Sequence, residues 1–306
     1  MSGVSLDGKK INQEILNELR PRIAILRAKE RPPALAVVLV GNDPASEIYV
    51  RSKVKTCHEL GIRSIELRPP ESTTTEELVQ QIIPLANDSG VDGILIQMPL
   101  PKHVNAERVT SCIDMSRDVD GFGMQSLGAL VLNRPAPRAC TPAGILEMLK
   151  RYQIPIAGKH AVIVGRSDIV GKPVALLLLH ENATVTICHS RTKNLAEECR
   201  RADILVAAIG RAAMLTRDFI KPGAVVIDVG MNRVTNKAEV ERLFADDPGR
   251  LASFERKGSA LVGDVEPRAM KELSSYYTPV PGGVGLLTIA MLMANTVQLA
   301  ESHLLQ

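Results

Sequence analysis

Tyr49 and Lys53 are the residues whose types and spacing first suggest chemistry, and they close the segment GNDPASEIYVRSK. Residues four apart on a helix share one face, so both side chains are expected to line the same site. A lysine that loses part of its hydration there can exchange a proton near neutral pH. In short-chain dehydrogenases a Tyr-Lys pair follows the nucleotide motif, whereas this pair stands far upstream of the glycine turn described next, which excludes that class.

A glycine-punctuated turn, VIVGRSDIVGKP at residues 162–173, follows an apolar run and opens a predicted helix. Backbone N–H groups and the helix N-terminus hold a pyrophosphate in this setting. Ser167 stands where the usual GxGxxG pattern has its second glycine, so the motif alone is a weak signal. Gly165, Arg166 and Ser167 are the predicted phosphate-turn residues.

The end of the next predicted strand points to the type of dinucleotide. NAD enzymes commonly place an acidic residue there for the ribose hydroxyls, but this chain reads Cys188-His189-Ser190-Arg191-Thr192. Ser190 and Arg191 suit a phosphate on the adenosine ribose, with further support from Arg166. The sequence therefore favours NADP over NAD.

Two polar residues upstream extend the lysine site. Gln97 ends an apolar strand immediately before Met98-Pro99-Leu100-Pro101, and Asp120 lies in the glycine-bounded loop Arg117-Asp118-Val119-Asp120-Gly121-Phe122. Carboxyl ends of strands are where open α/β sheets bind ligands. Asp120 is suited to accept hydrogen bonds from an amino-bearing heterocycle.

Alternating strands and helices must position these residues. Strands are predicted at 34–40, 64–67, 93–97, 161–164, 184–188, 204–208 and 224–229, and helices at 8–29, 45–60, after 73–77 and at 283–303. The alternation predicts mainly parallel sheets in a two-domain α/β fold. An N-terminal α/β catalytic domain (1–140) precedes a Rossmann-like NADP-binding domain (141–279), and the C-terminal helix (280–306) is expected to return to the first domain. The polar stretch 232–257 is expected to be a surface helical insertion.

Composition restricts the class of protein. The 306 residues are 45% apolar and carry a net charge of +3, with 3% aromatic residues and no tryptophan, which argues against nucleic-acid and membrane partners. The first ten residues lack the apolar core of a signal peptide, so the cytoplasm is expected. Five cysteines without CxxC spacing predict reduced thiols, and no metal is expected.

Nine segments in the same order resemble the bifunctional methylenetetrahydrofolate dehydrogenase/methenyltetrahydrofolate cyclohydrolase family: GNDPASEIYVRSK, GILIQMPLP, RDVDGF, CTPAG, GRSDIVGKP, CHSRT, VIDVGMNR, LVGDV and TPVPGGVG. The resemblance runs over nearly the whole chain. It implies NADP-dependent oxidation of methylenetetrahydrofolate, then hydrolysis to 10-formyltetrahydrofolate, in one-carbon metabolism that serves purine and amino-acid biosynthesis. It also implies a homodimer with tetrahydrofolate derivatives as its substrates.

The same resemblance implies roles for individual residues. Lys53 becomes the main catalytic lysine, Gln97 its hydrogen-bond partner, Tyr49 a contact of the folate rings and Asp120 the anchor of the pterin. The turn Pro281-Gly282-Gly283 joins the substrate-binding residues. The cofactor is expected to contact Gly165, Arg166, Ser167, Ser190, Arg191 and the backbone near Met231.

Two segments depart from the family pattern. Gly123-Met124-Gln125-Ser126 stands where the family often has HPxN, and Leu286-Leu287 where it often has PM. Both departures concern the shape of the folate pocket. Two alternatives stay open at this point: a dehydrogenase of the shikimate type, which also uses a lysine and NADP, and a catalytically silent NADP-binding protein on the same fold.

Overall fold

The computed structural model describes residues 3–305, apart from the side chain of Ala45. The strands in chain order are β1 Val4–Ser5, β2 Ala34–Val38, β3 Arg63–Leu67, β4 Gly93–Ile96, β5 His160–Val164, β6 Thr184–Cys188, β7 Ile204–Ala207, β8 Val225–Asp228, β9 Asn232–Val234, β10 Ala260–Val262 and β11 Tyr276–Tyr277. The helices are α1 Gly8–Ala28, α2 Pro44–Leu60, α3 Thr75–Asn87, α4 Ala106–Thr110, α5 Met124–Val131, α6 Cys140–Arg151, α7 Gly171–His180, α8 Leu195–Arg200, α9 Lys237–Leu243, α10 Pro248–Lys257, α11 Pro267–Leu273 and α12 Gly285–Leu304, with a 3-10 helix at Arg217–Phe219.

The chain divides into two compact units. Gln13–Cys140 and residues 289–305 form the three-stranded unit, while residues 3–12 and Thr141–Thr288 form the six-stranded unit. Most of α12 thus lies with the three-stranded unit, so the expected return of the C-terminal helix is confirmed. The domain boundary at residue 140 stays a prediction. Residues 3–12 fall in the six-stranded unit, where β1 pairs with β11, and residues 280–288 fall there as well.

Parallel strands in the order β3-β2-β4 form the sheet of the three-stranded unit. Every residue of the central strand β2 is buried. Helix α2 begins where the Asp43 side chain accepts the Ser46 N–H at 2.7 Å and ends at Gly61, which adopts the left-handed conformation (φ 79°). Because the strands are parallel, the loops after β2 and β4 leave the sheet at the same edge.

The larger sheet is parallel throughout, in the order β1-β11-β8-β7-β5-β6. Strands β7 and β8 are fully buried, as expected for a parallel sheet covered on both faces. The strand order reverses at β5, because β6 lies on one side of it and β7 on the other. Such a reversal is where doubly wound sheets bind dinucleotides.

The expected excursion at 232–257 has its own small core. Strands β9 and β10 pair antiparallel, with α9 and α10 between them. Buried apolar side chains, among them Val240, Leu243 and Phe254, fill the space enclosed by these elements. Arg250 attaches the segment to the chain before Pro281, since its Nη1 donates to Val280 O at 2.8 Å and its guanidinium lies 4.3 Å from the Phe244 ring centroid.

Within the three-stranded unit, Asn295 ties α12 to the segment that carries Asp120. The Asn295 side chain is 5% exposed, and its Nδ2 donates to Val119 O at 2.7 Å and to Arg138 O at 2.9 Å. Both acceptors are main-chain carbonyls outside regular helix or sheet, and such groups need donors from elsewhere in the fold. The Cys140 thiol also donates to Val119 O, at 3.5 Å. No helix within residues 3–305 is long and apolar enough to cross a membrane.

Asn295→Ala is expected to destabilise this unit by about 1–3 kcal/mol, because Arg138 O loses its amide donor and Val119 O is left with the weaker Cys140 thiol. Chemical denaturation followed by circular dichroism measures the change. Gln298→Ala is the control, since Gln298 is exposed on the same helix. Equal unfolding midpoints for the two variants would contradict the assigned role.

Candidate active site

Lys53 and Gln97 meet at the edge of the sheet where β2 and β4 end. Lys53 lies on α2 and is half-buried, and its Nζ donates to Gln97 Oε1 at 2.9 Å. Gln97 directly follows β4, is 9% exposed and donates through Nε2 to Met98 O at 2.7 Å. That second bond fixes the orientation of the amide, so its oxygen faces the lysine.

Asp118 shapes the loop that carries Asp120. The Asp118 carboxylate, 7% exposed, accepts four hydrogen bonds: Gly121 N at 3.0 Å, Phe122 N at 3.3 Å, Gly123 N at 2.8 Å and Ser126 Oγ at 2.6 Å. Asp118 also forms a bridge to Ile94 of β4, which places the loop beside that strand. The departure from the family pattern at Gly123–Ser126 thus supplies two of the four donors to Asp118.

The charge of Lys53 affects the pKa of Asp120. Burial raises the pKa of the Asp120 carboxyl to about 7, the positive charge of Lys53 opposes the rise, and the Asp118 carboxylate adds to it. Asp120 therefore changes charge near neutral pH, unlike an ordinary surface aspartate. Lys53 is thus hydrogen-bonded to Gln97 and close enough to Asp120 for its charge to affect that carboxyl.

Tyr49 and Cys140 complete this region. Tyr49 lies one turn before Lys53 on α2 and is 48% exposed, so its ring is available to a flat ligand. Cys140 begins α6 and is fully buried, and desolvation, with the Asp120 charge next in size, raises the pKa of its thiol well above the usual value. Cys140 is one of five free cysteines.

The predicted phosphate turn lies between β5 and α7 of the six-stranded unit. Gly165 has φ 134°, and a Cβ at this residue would lie 2.2 Å from Ala208 O, so only glycine fits. A Cβ at Gly171, where α7 begins, would lie 2.4 Å from Gly165 O. Ser167 Oγ accepts the N–H groups of Val170 and Gly171, each at 3.2 Å. This tight turn at the N-terminus of a ten-residue helix fits a pyrophosphate.

Ser190 and Arg191 follow β6, on the neighbouring strand end, and both are exposed. Arg191 N donates to His189 Nδ1 at 3.2 Å, and His189 N donates to Thr192 Oγ1 at 2.9 Å, so the segment is a compact turn. Arg166, from the phosphate turn after β5, is exposed as well. Two exposed guanidinium groups at adjacent strand ends suit an additional phosphate.

The turn Pro281-Gly282-Gly283 also belongs to the six-stranded unit. Gly8 N donates to Gly282 O at 3.0 Å, while Arg250 bonds the carbonyl of Val280 directly before Pro281. Leu286, one of the residues that depart from the family pattern, offers its carbonyl to Asn12 Nδ2 at 2.7 Å. The turn is therefore held by the first helix and by the inserted segment.

Sequence reasoning missed the carboxylates that hold these loops. Asp118 stands two residues before the predicted Asp120, and a signal was present, because a run with two glycines follows it and supplies N–H donors. Asp228 and Asp264 are buried in the six-stranded unit, each within two residues of a glycine. Within residues 3–305, His, Cys, Asp and Glu form no group of three or more suited to a metal ion.

A lysine–amide–carboxyl grouping in one α/β unit and a phosphate turn in a parallel doubly wound sheet define a dinucleotide-dependent α/β enzyme. Residues 6–120 match the sequence model of the tetrahydrofolate dehydrogenase/cyclohydrolase catalytic domain. Residues 139–304 match the NAD(P)-binding domain of the same family. The chain belongs to the tetrahydrofolate dehydrogenase/cyclohydrolase family.

Similar proteins cover the whole length of the chain. A bifunctional protein FolD from Solibacter usitatus is 60% identical over 296 residues, which is 97% of each chain, and one from Koribacter versatilis is 54% identical over 301 residues, 98% of each. The crystal structure of the bifunctional enzyme FolD from Campylobacter jejuni has a TM-score of 0.89 at 41% identity, covering 98% of this chain and 99% of that one. The Trypanosoma brucei enzyme, complexed with NADP cofactor and inhibitor, has a TM-score of 0.88 at 34% identity, covering 99% of each.

Lys53→Met is expected to raise the pKa of Asp120 above about 7, because it removes the cation that opposes the effect of burial. Titration of the aspartate carboxyl carbons by NMR measures the midpoint. Lys55→Met on the same helix is the control, since Lys55 is exposed and pairs with Glu59. An Asp120 midpoint that does not move would show that the two groups are not coupled.

Proposed function

We propose that this chain oxidises 5,10-methylenetetrahydrofolate to 5,10-methenyltetrahydrofolate with NADP and then hydrolyses the product to 10-formyltetrahydrofolate. The observation that carries the proposal is the Lys53–Gln97 hydrogen bond beside Asp120, in a chain that belongs to the folate dehydrogenase/cyclohydrolase family. The grouping provides a proton carrier, Lys53, and an anchor for a heterocycle, Asp120.

The dehydrogenase step requires positioning more than acid-base chemistry. The one-carbon unit lies between two nitrogens, whose lone pairs stabilise the cation formed when NADP takes up the hydride. Asp120 in its ionised form accepts hydrogen bonds from the amino-bearing ring of the pterin, and Tyr49 lies against that ring system. Pro281, Gly282 and Gly283 complete the substrate-binding residues. These contacts align the one-carbon unit and thereby lower the entropic part of the barrier.

Hydrolysis requires proton transfer. Water adds to the bridging carbon, and the bond from that carbon to N5 then breaks. Both protons of the water leave its oxygen, one going to N5 and one to solvent. Lys53 takes up a proton in its neutral form and gives one back as an ammonium, while Gln97 keeps its nitrogen in place.

Cofactor binding belongs to the six-stranded unit. Gly165, Arg166 and Ser167 would hold the pyrophosphate at the start of α7, Ser190 and Arg191 would bind the ribose phosphate, and the backbone near Met231 would contact the nicotinamide half. The tight turn at Gly165 and the absence of a carboxylate from the sequence His189-Ser190-Arg191 support this assignment.

A two-substrate assay tests the proposal directly. The purified protein is mixed with methylenetetrahydrofolate and NADP, and the absorbance of the reduced cofactor and of the methenyl product are followed in parallel. Both signals are expected, with the methenyl absorbance decaying as hydrolysis proceeds. A shikimate-type dehydrogenase or a silent NADP-binding protein would produce no reduced cofactor from the folate.

The proposed assembly is a homodimer, the commonest symmetric state of soluble homo-oligomers, and sedimentation of the purified protein tests it.

The proposed location is the cytoplasm. The five free cysteines, four of them buried, support a reducing compartment.

Arg191→Ala is expected to raise the KM for NADP by about 10- to 150-fold, because a charge-assisted contact with the ribose phosphate worth about 1.5–3 kcal/mol is lost. The KM for NAD, which lacks this phosphate, serves as the internal control and should stay constant. Steady-state kinetics with each dinucleotide measure both values. A wild-type enzyme that prefers NAD would refute the assignment of Arg191.

Lys53→Met is expected to lower the cyclohydrolase rate by about 100-fold or more, the scale of losing a general acid-base group, while dehydrogenase activity persists. Methenyltetrahydrofolate should therefore accumulate when both signals are recorded together. Lys55→Met controls for the loss of a positive charge on the same helix. If the two activities fall by the same factor, Lys53 binds the substrate rather than carrying protons.

A further inference from the structure

Two buried carboxylates lie at the carboxyl end of the six-stranded sheet, outside the phosphate turn. Asp228 is the last residue of β8 and is 1% exposed, and Asp264 follows β10 and is 0% exposed. Both belong to segments, VIDVGMNR and LVGDV, to which the proposed function assigns no side chain. Burying a carboxylate is unfavourable unless hydrogen bonds compensate, so the partners of these two groups explain their presence.

Asp264 holds the turn that follows β7. Its Oδ2 accepts the N–H groups of Ile209 at 2.6 Å and Gly210 at 3.0 Å, and its Oδ1 accepts the N–H of Arg211 at 2.8 Å. Oδ1 also accepts Asn232 Nδ2 at 2.9 Å. One side chain therefore connects the loop after β7 to the start of β9.

Asp228 holds two segments of the chain together, the one that follows β8 and the one that follows β10. Its Oδ1 accepts Gly230 N at 2.9 Å and Asp264 N at 2.8 Å, and its Oδ2 accepts Val265 N at 2.9 Å. Met231 thus lies between two anchored neighbours, since Gly230 is bonded to Asp228 and Asn232 to Asp264. Met231 itself is 46% exposed.

Two glycines make room for the carboxylates. A Cβ at Gly263 would lie 1.9 Å from Asp228 Oδ2, and a Cβ at Gly230 would lie 2.3 Å from Asp264 Oδ1. Any larger residue at either position would displace a carboxylate from its donors. The segments that contain Asp228 and Gly230 and that contain Gly263 and Asp264 therefore form one structural cluster, although they are far apart in the sequence.

The strand order of the six-stranded sheet indicates where the Asp228–Asp264 cluster lies relative to a bound dinucleotide. Ser190 and Arg191 follow β6 on one side of β5, and the phosphate turn follows β5 itself, whereas β7 and β8 lie on the other side. A dinucleotide with its ribose phosphate at β6 and its pyrophosphate at β5 must extend across the ends of β7 and β8. The loops held by Asp264 and Asp228 are those its nicotinamide half reaches.

We propose that Asp264 and Asp228 are positioning residues for hydride transfer: by fixing the turn 209–211 and the backbone around Met231, they set the place of the nicotinamide ring. The inference rests on the proposed function. Neither carboxylate touches the cofactor in this assignment, because each acts through the main chain it holds.

Asp264→Asn is the decisive variant. Each carboxylate oxygen of Asp264 accepts two hydrogen bonds. In either orientation, the NH₂ group of the new asparagine would therefore face two N–H donors that it cannot accept. The dehydrogenase kcat at saturating NADP is expected to fall by about 100-fold, the effect of a misplacement near 1 Å. Cyclohydrolase activity, measured on methenyltetrahydrofolate without cofactor, should stay at the wild-type level, and calorimetry should show weaker NADP binding.

Asp246→Asn is the matched control, because Asp246 is exposed in the inserted segment of the same unit. Asn232→Ala removes the amide contacts to Asp264 Oδ1 and to Val262 O but leaves the Asp264 carboxylate with its three backbone donors. It decides the question if Asp264→Asn does not fold, and it should lower the dehydrogenase kcat selectively. Equal losses of both activities with a lower Tm, or an unchanged dehydrogenase kcat, would overturn the positioning role. A wild-type protein that does not reduce NADP with methylenetetrahydrofolate would overturn the proposed function instead.

Discussion

Loops at the ends of parallel strands leave backbone N–H groups without a helix or sheet partner, and in this protein buried carboxylates accept them. Asp118 gathers three backbone donors and a hydroxyl in the three-stranded unit, and Asp264 gathers three backbone donors and an amide in the six-stranded unit. A buried backbone N–H without a partner is strongly unfavourable, and so is a buried carboxylate without donors. Each group satisfies the other, which holds a loop of otherwise irregular backbone in one conformation.

This constraint matters because several of the proposed functional residues stand in loops, although Tyr49 and Lys53 lie on α2. Asp120 lies two residues after Asp118, and Met231 lies between the residues bonded to Asp228 and Asp264. A site whose loops moved by an ångström would lose much of its rate, since catalysis depends on alignment of the reacting atoms. The buried carboxylates Asp118, Asp228 and Asp264 thus determine where the residues proposed to bind ligands can lie.

The sequence predicted the regular elements well because their signals are local. The apolar run at 184–188 coincides with β6, and the helix expected at 45–60 begins one residue earlier, at the proline after its Asp43 cap. Strands β1 and β11 were not predicted, since two residues each carry no periodicity and pair only through the assembled sheet. The lysine, amide and carboxyl were identified from motifs. Pairing Asp228 with Asp264 requires the fold, because 36 residues separate them.

Glutamine at position 97 suits the proton-carrying role proposed for Lys53. The amide oxygen of Gln97 accepts the Lys53 hydrogen bond without adding a negative charge beside the lysine. A carboxylate in that place would stabilise the ammonium form and retain the proton. The nearby carboxyl, Asp120, has a pKa near 7 and so is not fully ionised at neutral pH. Position and charge are thus supplied by different side chains: Gln97 holds the Lys53 nitrogen, and Asp120 is the nearby group whose charge changes near neutral pH.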